Sequence, residues 1–283
     1  MKRFIASLAL ASILTAQAAH AQNTSLRAIL TAKTTCSWPS TGSLFDFDPS
    51  VLSTMKQDTA GTTAVAANND PIGKWVSNDA GAFTVLANDG AGTFPLWKTS
   101  NGLTWAEGDG TNDILYNSAA AAGVYAAGAA TLAISMRVNS NAAYMQPFGE
   151  GNSSGNTSDI YTLISSDTPT PDNDTTMKAS GSFPVNAVTF SNVFTAGVDK
   201  TVIAVDTGTE IRVYVDGYAD RSPTTYTRGT ATFDRAALFG SRRASPSQNY
   251  FNGRIYRIRA FNFAFSPAQV KAATVCLKAT QGR

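Results

Sequence analysis

Between Thr131 and Val138, the apolar residues Leu132, Ile134, Met136 and Val138 alternate with Ala133, Ser135 and Arg137. A two-residue period places the two sets on opposite faces of an extended chain, so this stretch suits a half-buried strand and no helix. The rhythm returns in Thr201 to Thr207 and in Glu210 to Val215, where Ile211, Val213 and Val215 point one way and Arg212 and Tyr214 the other. Asp216-Gly217 follows at once and tolerates the positive φ angles of a tight hairpin turn. Further strands are expected over Phe94 to Lys98, Leu103 to Glu107, Ala143 to Phe148, Ile160 to Ser165, Val185 to Phe190, Ala236 to Phe239 and Arg254 to Phe263. In the last of these, Ile255 and Ile258 fall on opposite phases of strict alternation, which predicts a bulge between them. Many short strands separated by turn residues predict an all-β, two-sheet antiparallel sandwich.

The clearest helix comes last. Ser266 as N-cap, Pro267 at the first position and Gln269 reaching back form a capping box, with Val270, Thr274 and Leu277 on one face and Cys276 carried along. A short turn is expected after Asp48-Pro49. Asn152 to Ser158, Asp167 to Thr176 and Ser241 to Gln248 are polar, turn-forming stretches that read as surface loops.

Lys2 and Arg3, the apolar run from Phe4 to about Leu14, and Ala19-His20-Ala21 before Gln22 have the layout of a cleavable secretory signal of bacterial type. The alternative is a membrane anchor, for which the run falls short of the roughly 20 residues a span needs. The expectation is a signal over 1–21 and one mature domain over 22–283, with a lead-in over about 22–90, secreted or periplasmic and without an integral membrane segment. Cys36 and Cys276 are the only cysteines. In an exported chain they predict one disulfide near the two ends, the alternative being two unrelated buried thiols.

Lys and Arg number 22 and Asp and Glu 20, and removing Lys2 and Arg3 leaves 20 of each. A neutral chain with no basic run lacks the footprint of a phosphate-backbone binder, so nucleic acid and anionic membrane are poor partners. His20 is the only histidine and leaves with the signal, which excludes Ser-His-Asp and Cys-His catalysis and histidine-ligated zinc. Glu107, Glu150 and Glu210 are the only glutamates, and no Glu-x-Asp-x-x-Glu run supplies the paired carboxylates of a glycosidase. No residue is assigned a catalytic role. Folding Glu107 against Glu150 is the route by which a glycosidase site would arise.

Asp109, Asn112 and Asp113 place three oxygen-bearing side chains around Gly110. They suit calcium, a hard cation with six to eight oxygen ligands, or a plain turn in which the side chains serve local amides. Asp167, Asp172, Asn173 and Asp174 form a second acidic loop that reads as solvated. Trp38, Trp75, Trp97 and Trp105 read mainly as core, Leu103 and Trp105 sharing a phase. Trp97 is opposite in phase to Phe94 and Leu96 and is the candidate for an exposed aromatic binding platform. Arg242 and Arg243 read as solvated charges, with contact to an acidic glycan as the other option.

Three stretches carry a family resemblance. The run Phe47-Asp48-Pro49-Ser50, Ser53-Thr54, Gln57-Asp58-Thr59-Ala60-Gly61-Thr62-Thr63 and Asp70-Pro71-Ile72-Gly73 resembles the lead-in of concanavalin A-like (laminin-G-like) jelly-roll domains in bacterial and prophage proteins. Trp105 to Asp113 is similar to their Asp-Gly-x-Asp/Asn-Asp segment, which usually has Phe where this chain has Gly108. Tyr214 to Gly217, Phe251 to Tyr256, and Phe261-Asn262 with Ser266 to Val270 resemble the last hairpin, strand and helix. The resemblance implies a jelly-roll sandwich whose members mostly bind carbohydrates or protein surfaces, some being glycosidases. The expected role is thus a non-catalytic module for carbohydrate recognition or surface adhesion, with a polysaccharide, a glycoconjugate or a cell-surface protein as partner. No organic cofactor is implied. A structural part of an exported or phage-derived assembly is the alternative, and a glycoside hydrolase, or a lyase using Tyr with Arg or Lys, on the same fold is the further one.

Overall fold

The computed structural model describes residues 35–79, 83–87, 94–117, 120–140, 145–153, 163–164, 175–178, 187–190, 195–219, 223–228, 232–242 and 247–283. The expected signal segment lies outside them. Contacts divide the chain into Met1–Thr35 and Cys36–Arg283, and the sandwich belongs to the second unit.

Strand β1 (Ser43–Phe47) opens the fold, and a 3₁₀ turn at Leu52–Thr54 follows Asp48-Pro49. Then come β2 (Met55–Lys56), β3 (Lys74–Val76) and β4 (Thr84–Ala87). β5 (Leu96–Ser100) and β6 (Leu103–Asp109) form a hairpin about Asn101-Gly102, both at positive φ (53° and 78°), as the right-handed twist of paired strands favours. β7 (Leu115–Asn117), β8 (Ala130–Val138) and β9 (Phe148–Gly151) follow. β10 (Leu163–Ile164), β11 (Thr175–Lys178) and β12 (Ala187–Phe190) form a small sheet of their own. β13 (Asp199–Asp206), β14 (Glu210–Val215) and β15 (Tyr218–Ala219) are consecutive antiparallel neighbours, with Asp216 and Gly217 at φ 52° and 94° in the last turn. β16 (Thr224–Thr225), β17 (Arg235–Leu238), β18 (Ser241–Arg242), β19 (Ser247–Gln248) and β20 (Asn252–Phe261) complete the strands. The chain then enters helix α1 (Pro267–Ala279).

Among the described residues, two antiparallel sheets form the layers. The large one runs β15-β14-β13-β8-β20-β6-β5, with β1 also on β20 and β16 on β14; the second runs β2-β3-β4-β7-β17-β9. The alternating residues of β8 explain the sandwich. Leu132, Ile134, Met136 and Val138 are buried with Val202, Ile211, Val213, Ile255 and Ile258 of neighbouring strands. They join Met55, Trp75, Leu115, Phe148 and Leu238 from the second sheet in one core. Each such fully buried side chain contributes roughly 1.5–3 kcal/mol. Phe45 lies 5.4 Å from Phe47 and 5.2 Å from Phe148, and Phe47 meets Trp75 edge-on at 5.3 Å.

Helix α1 covers part of the opposite face of the large sheet. Ala133, Ile203, Val205 and Phe261 pack under α1 through Val270, Ala273 and Leu277. Both arms of the expected capping box are present, the Ser266 amide donating to Gln269 Oε1 at 2.8 Å and the Gln269 amide to Ser266 Oγ at 3.4 Å. Cys276 is bonded to Cys36 across 240 residues of sequence, and the bridge holds the segment whose Trp38 stacks on Phe261 at 5.9 Å. The bulge in β20 falls between Ile255 and Arg257, and it returns Ile258 to the core side opposite Ile134.

Some boundaries differ from expectation. The strand expected over Ala143 to Phe148 begins at Phe148, because Gln146 is tied through its amide to the Asn249 carbonyl and Pro147 has no N–H for a ladder. Thr175 and Thr176, expected in a loop, pair with Phe190 and Thr189. The loop expected over Ser241 to Gln248 begins and ends in the short β18–β19 pair. Among the described residues no helix is long and apolar enough to cross a membrane.

Candidate functional site

Trp97 is not the exposed platform that its phase suggested. It is 5 % exposed and part of the main core, and its indole donates to the Pro49 carbonyl at 2.8 Å. The lead-in also closes the outer edge of β5, with the Asn69 amide on Trp97 O and the Trp97 amide on Asp70 O. Trp97 stands opposite Ala106 on the inward phase, whereas Leu96 stands opposite Glu107 on the outward one.

The Asp109–Asp113 stretch is a tight turn in which the two aspartates serve local amides. Asp109 Oδ1 accepts the amides of Thr111 (2.7 Å) and Asn112 (3.2 Å), and Asp113 Oδ2 accepts the amide of Asp109 (2.9 Å). Gly110, at φ 75°, lies so close to Asn252 that an added Cβ would fall 2.5 Å from that residue's Cβ. Burial, with the neighbouring Asp109 charge adding to it, pushes the Asp113 carboxyl up to about 6. Of the oxygens set aside for calcium, Asn112 Oδ1 is buried and accepts no hydrogen bond, while those of the two aspartates are partly engaged by backbone amides. Among the described residues no three His, Cys, Asp or Glu side chains converge as a ligand set.

The three glutamates stay apart. Glu107 is on the large sheet, and Glu150 is on the second sheet, fully buried, where its carboxylate accepts the amides of Val124 (3.2 Å) and Tyr125 (2.8 Å). Glu210 pairs with Arg212 at 3.0 Å. Arg242 lies over the Tyr116 ring at 5.0 Å. Arg243, Asp167, Asp172, Asn173 and Asp174 lie outside the described residues.

What the strand pattern did not announce is a row of four charged side chains across four strands. Glu107 of β6 pairs in register with Arg254 of β20, Arg254 with Arg137 of β8, and Arg137 with Asp199 of β13. All four are half-buried. Arg137 donates to both Asp199 oxygens (2.7 and 3.0 Å), which holds the guanidinium above its usual pKa. Arg254 Nε is 3.2 Å from Glu107.

Beneath the row lies an aromatic floor. Trp105 donates its indole N–H to Glu107 at 2.6 Å and sits under the Arg254 guanidinium at 4.5 Å. Tyr256 lies 6.1 Å from Trp105 and donates its hydroxyl to Asp199 at 2.8 Å. Burial and that bond together raise the Tyr256 pKa. The outcome is a set of donors and acceptors with fixed spacing on a rigid sheet. The signal available in sequence was that Glu107, Arg254 and Arg137 each occupy the outward phase of a strand, but their register was not readable. Gly108, on the inward phase between Glu107 and Asp109, has its missing side chain replaced by others: an added Cβ would meet Phe251 O at 2.5 Å and Phe239 Cδ1 at 2.8 Å.

The family model for the concanavalin A-like lectin/glucanases superfamily matches residues 109–271, more than half of the chain. No curated protein sequence matches. Among solved structures, a Trypanosoma rangeli sialidase in complex with sialic acid aligns with a TM-score of 0.56 at 12 % identity, over 87 % of this chain and 34 % of that one. The chain thus spans about a third of the length of that sialidase. Domain 4 of AbnA, an extracellular arabinanase from Geobacillus stearothermophilus, solved with arabinotriose, aligns with a TM-score of 0.48 at 14 % identity, over 82 % of this chain and 98 % of the domain.

Proposed function

Since the chain belongs to the concanavalin A-like lectin/glucanases superfamily, we propose that it is an exported, non-catalytic module that binds polysaccharide or glycoconjugate on the outward face of its large sheet. The observation that carries this reading is the Glu107–Arg254–Arg137–Asp199 row. Sugar hydroxyls are read by donors and acceptors held at fixed spacing, and the row supplies both, Arg137 and Asp199 as a bidentate pair and Arg254 with its Nε 3.2 Å from Glu107. Trp105 and Tyr256 hold these groups in place from below. The fold neighbour solved with sialic acid makes a saccharide the ligand class to try first.

The non-catalytic reading draws support from the placement of the glutamates, which speaks to the two-carboxylate glycosidase route alone. A retaining glycosidase needs two carboxyl groups about 5 Å apart, and here Glu107 and Glu150 are on different sheets, the latter capped by backbone amides. Export to the medium or periplasm is supported by the signal-like first residues and by the Cys36–Cys276 bridge, a bond that persists in oxidising compartments.

The test is binding of the chain Gln22 to Arg283 to an array of bacterial and plant polysaccharides, in calcium and then in EDTA, alongside an assay for released reducing ends. Selective binding that Arg254→Met and Glu107→Gln abolish, with no reducing ends released, is the expected result. Loss in EDTA would assign calcium to the Asp109–Asp113 turn. Binding to no glycan would overturn the reading in favour of a structural module, and released reducing ends would make the chain an enzyme.

A further inference from the structure

At the β13 end of the charged row, Arg137, Lys200 and Arg283 line an open crevice of about 360 Å³ together with Val198, Asp199 and Asp216. Lys278 adds a fourth cation from behind, donating to the Asp216 carbonyl at 3.0 Å. Three cations thus line the crevice beside two carboxylates, and Lys278 reaches only the Asp216 main chain.

The two carboxylates are not equally engaged. Asp199 is taken by the Arg137 fork and the Tyr256 hydroxyl, at 2.7 to 3.0 Å. Asp216 is held by Thr201 through its amide (3.2 Å) and hydroxyl (3.3 Å). Lys200 and Arg283 reach it only at 3.3 and 3.4 Å. Charge-assisted N–H···O bonds normally close to about 2.7–2.9 Å, so Lys200 is loosely engaged where it stands, while Arg283 Nη1 is divided among Asp216 (3.4 Å), the Asp199 carbonyl (3.0 Å) and Gln281 Oε1 (3.0 Å). Beside them Val198 is 43 % exposed, an apolar wall at the rim of a polar crevice.

Resting on the carbohydrate reading above, we propose that this crevice receives the carboxylate of an acidic sugar residue, with Lys200 and Arg283 holding the anion and Val198 against the C–H face of the ring. Both cations already face a carboxylate, that of Asp216, at 3.3 and 3.4 Å, so their spacing suits such a group. The apolar wall separates this site from one for a bare anion, because a sugar ring presents C–H groups next to its acid group and a free ion does not. The charged row continues directly from it through Arg137, so a longer acidic glycan entering the crevice would extend along the sheet face.

The experiment is amide chemical-shift mapping and calorimetry on the chain Gln22 to Arg283 with D-glucuronate, its methyl ester, D-glucose and acetate. Glucuronate is expected to shift Val198 to Lys200 and to bind more tightly than the other three probes. Lys200→Gln and Arg283→Gln are each expected to weaken it about tenfold, the loss of one charge-assisted contact. Val198→Asp, a change at an exposed position, is expected to abolish it. The proposal is overturned if glucuronate leaves residues 197–200 unshifted, if acetate binds as tightly, or if the variants bind as the parent does. Neutral polysaccharides bound on the array with an inert crevice would sink this inference alone. An array negative for every glycan together with an inert crevice would sink both readings.

Discussion

Arg137 and Arg254 stand directly across from each other on neighbouring strands, two like charges side by side, each held by a carboxylate on its far side, Asp199 and Glu107. Like charges directly opposite are unfavourable in a sheet, so the pair depends on its flanking acids. Asp199→Ala removes the acceptor of Arg137 and of the Tyr256 hydroxyl together. A loss of about 1–3 kcal/mol is expected in urea denaturation, and Asp199→Asn should lose less. A variant as stable as the parent would show that the row is not held by this carboxylate.

Cys36 and Cys276 close a loop of 240 residues. In the chain-entropy account such a loop stabilises by about 5 kcal/mol. Cys36→Ser with Cys276→Ser is expected to lower stability by up to that amount and to alter Trp38 fluorescence, since the bridge holds the segment that stacks on Phe261. Alkylation of the denatured, unreduced protein should leave its mass unchanged.

Asp113 should titrate in the folded protein near pH 6, above its ordinary 3.8, because it is buried. A carboxyl raised on folding holds its proton more tightly in the native state, so its contribution to stability is complete below about 3.8 and is lost as pH rises through 6. Relative to Asp113→Asn, the parent should therefore gain stability as pH falls from 7 to 4. Denaturation midpoints across that range measure it, and a constant difference between the two proteins would contradict the burial argument.

Glu150 serves as an internal cap for the segment containing Val124 and Tyr125. Burial pushes its carboxyl up and those amides pull it back, with burial ahead. Glu150→Ala leaves both amides without an acceptor inside the protein, and a loss of about 2–4 kcal/mol is expected. Glu150→Gln keeps one oxygen acceptor and should fall between. Thermal melts rank the three, and any other order would mean that the amides find replacement partners.

Features decided by a few neighbouring residues were legible. The capping box at Ser266 and Gln269, the Asp216-Gly217 turn and the bulge after Ile255 depend on backbone angles and side-chain reach over three or four positions. Trp97 was misplaced because alternation tells which residues share a face and not which face is covered. The Pro49 carbonyl that receives its indole lies 48 positions away. The charged row escaped notice for the same reason, since Glu107, Arg137, Asp199 and Arg254 come from four strands scattered along the chain.

By itself, then, the sequence determined the strand period, the tight turns, the end helix and the two thiols available to staple the ends, because each follows from local sterics and hydrogen bonding or from a count of reactive groups. Only the tertiary structure decided that Trp97 faces inward, that Gly108 leaves its space to Phe239 and Phe251, and that four charges line up beside a cationic crevice. Burial and register are set by whatever segment packs from elsewhere in the chain, and no local pattern encodes the identity of that segment.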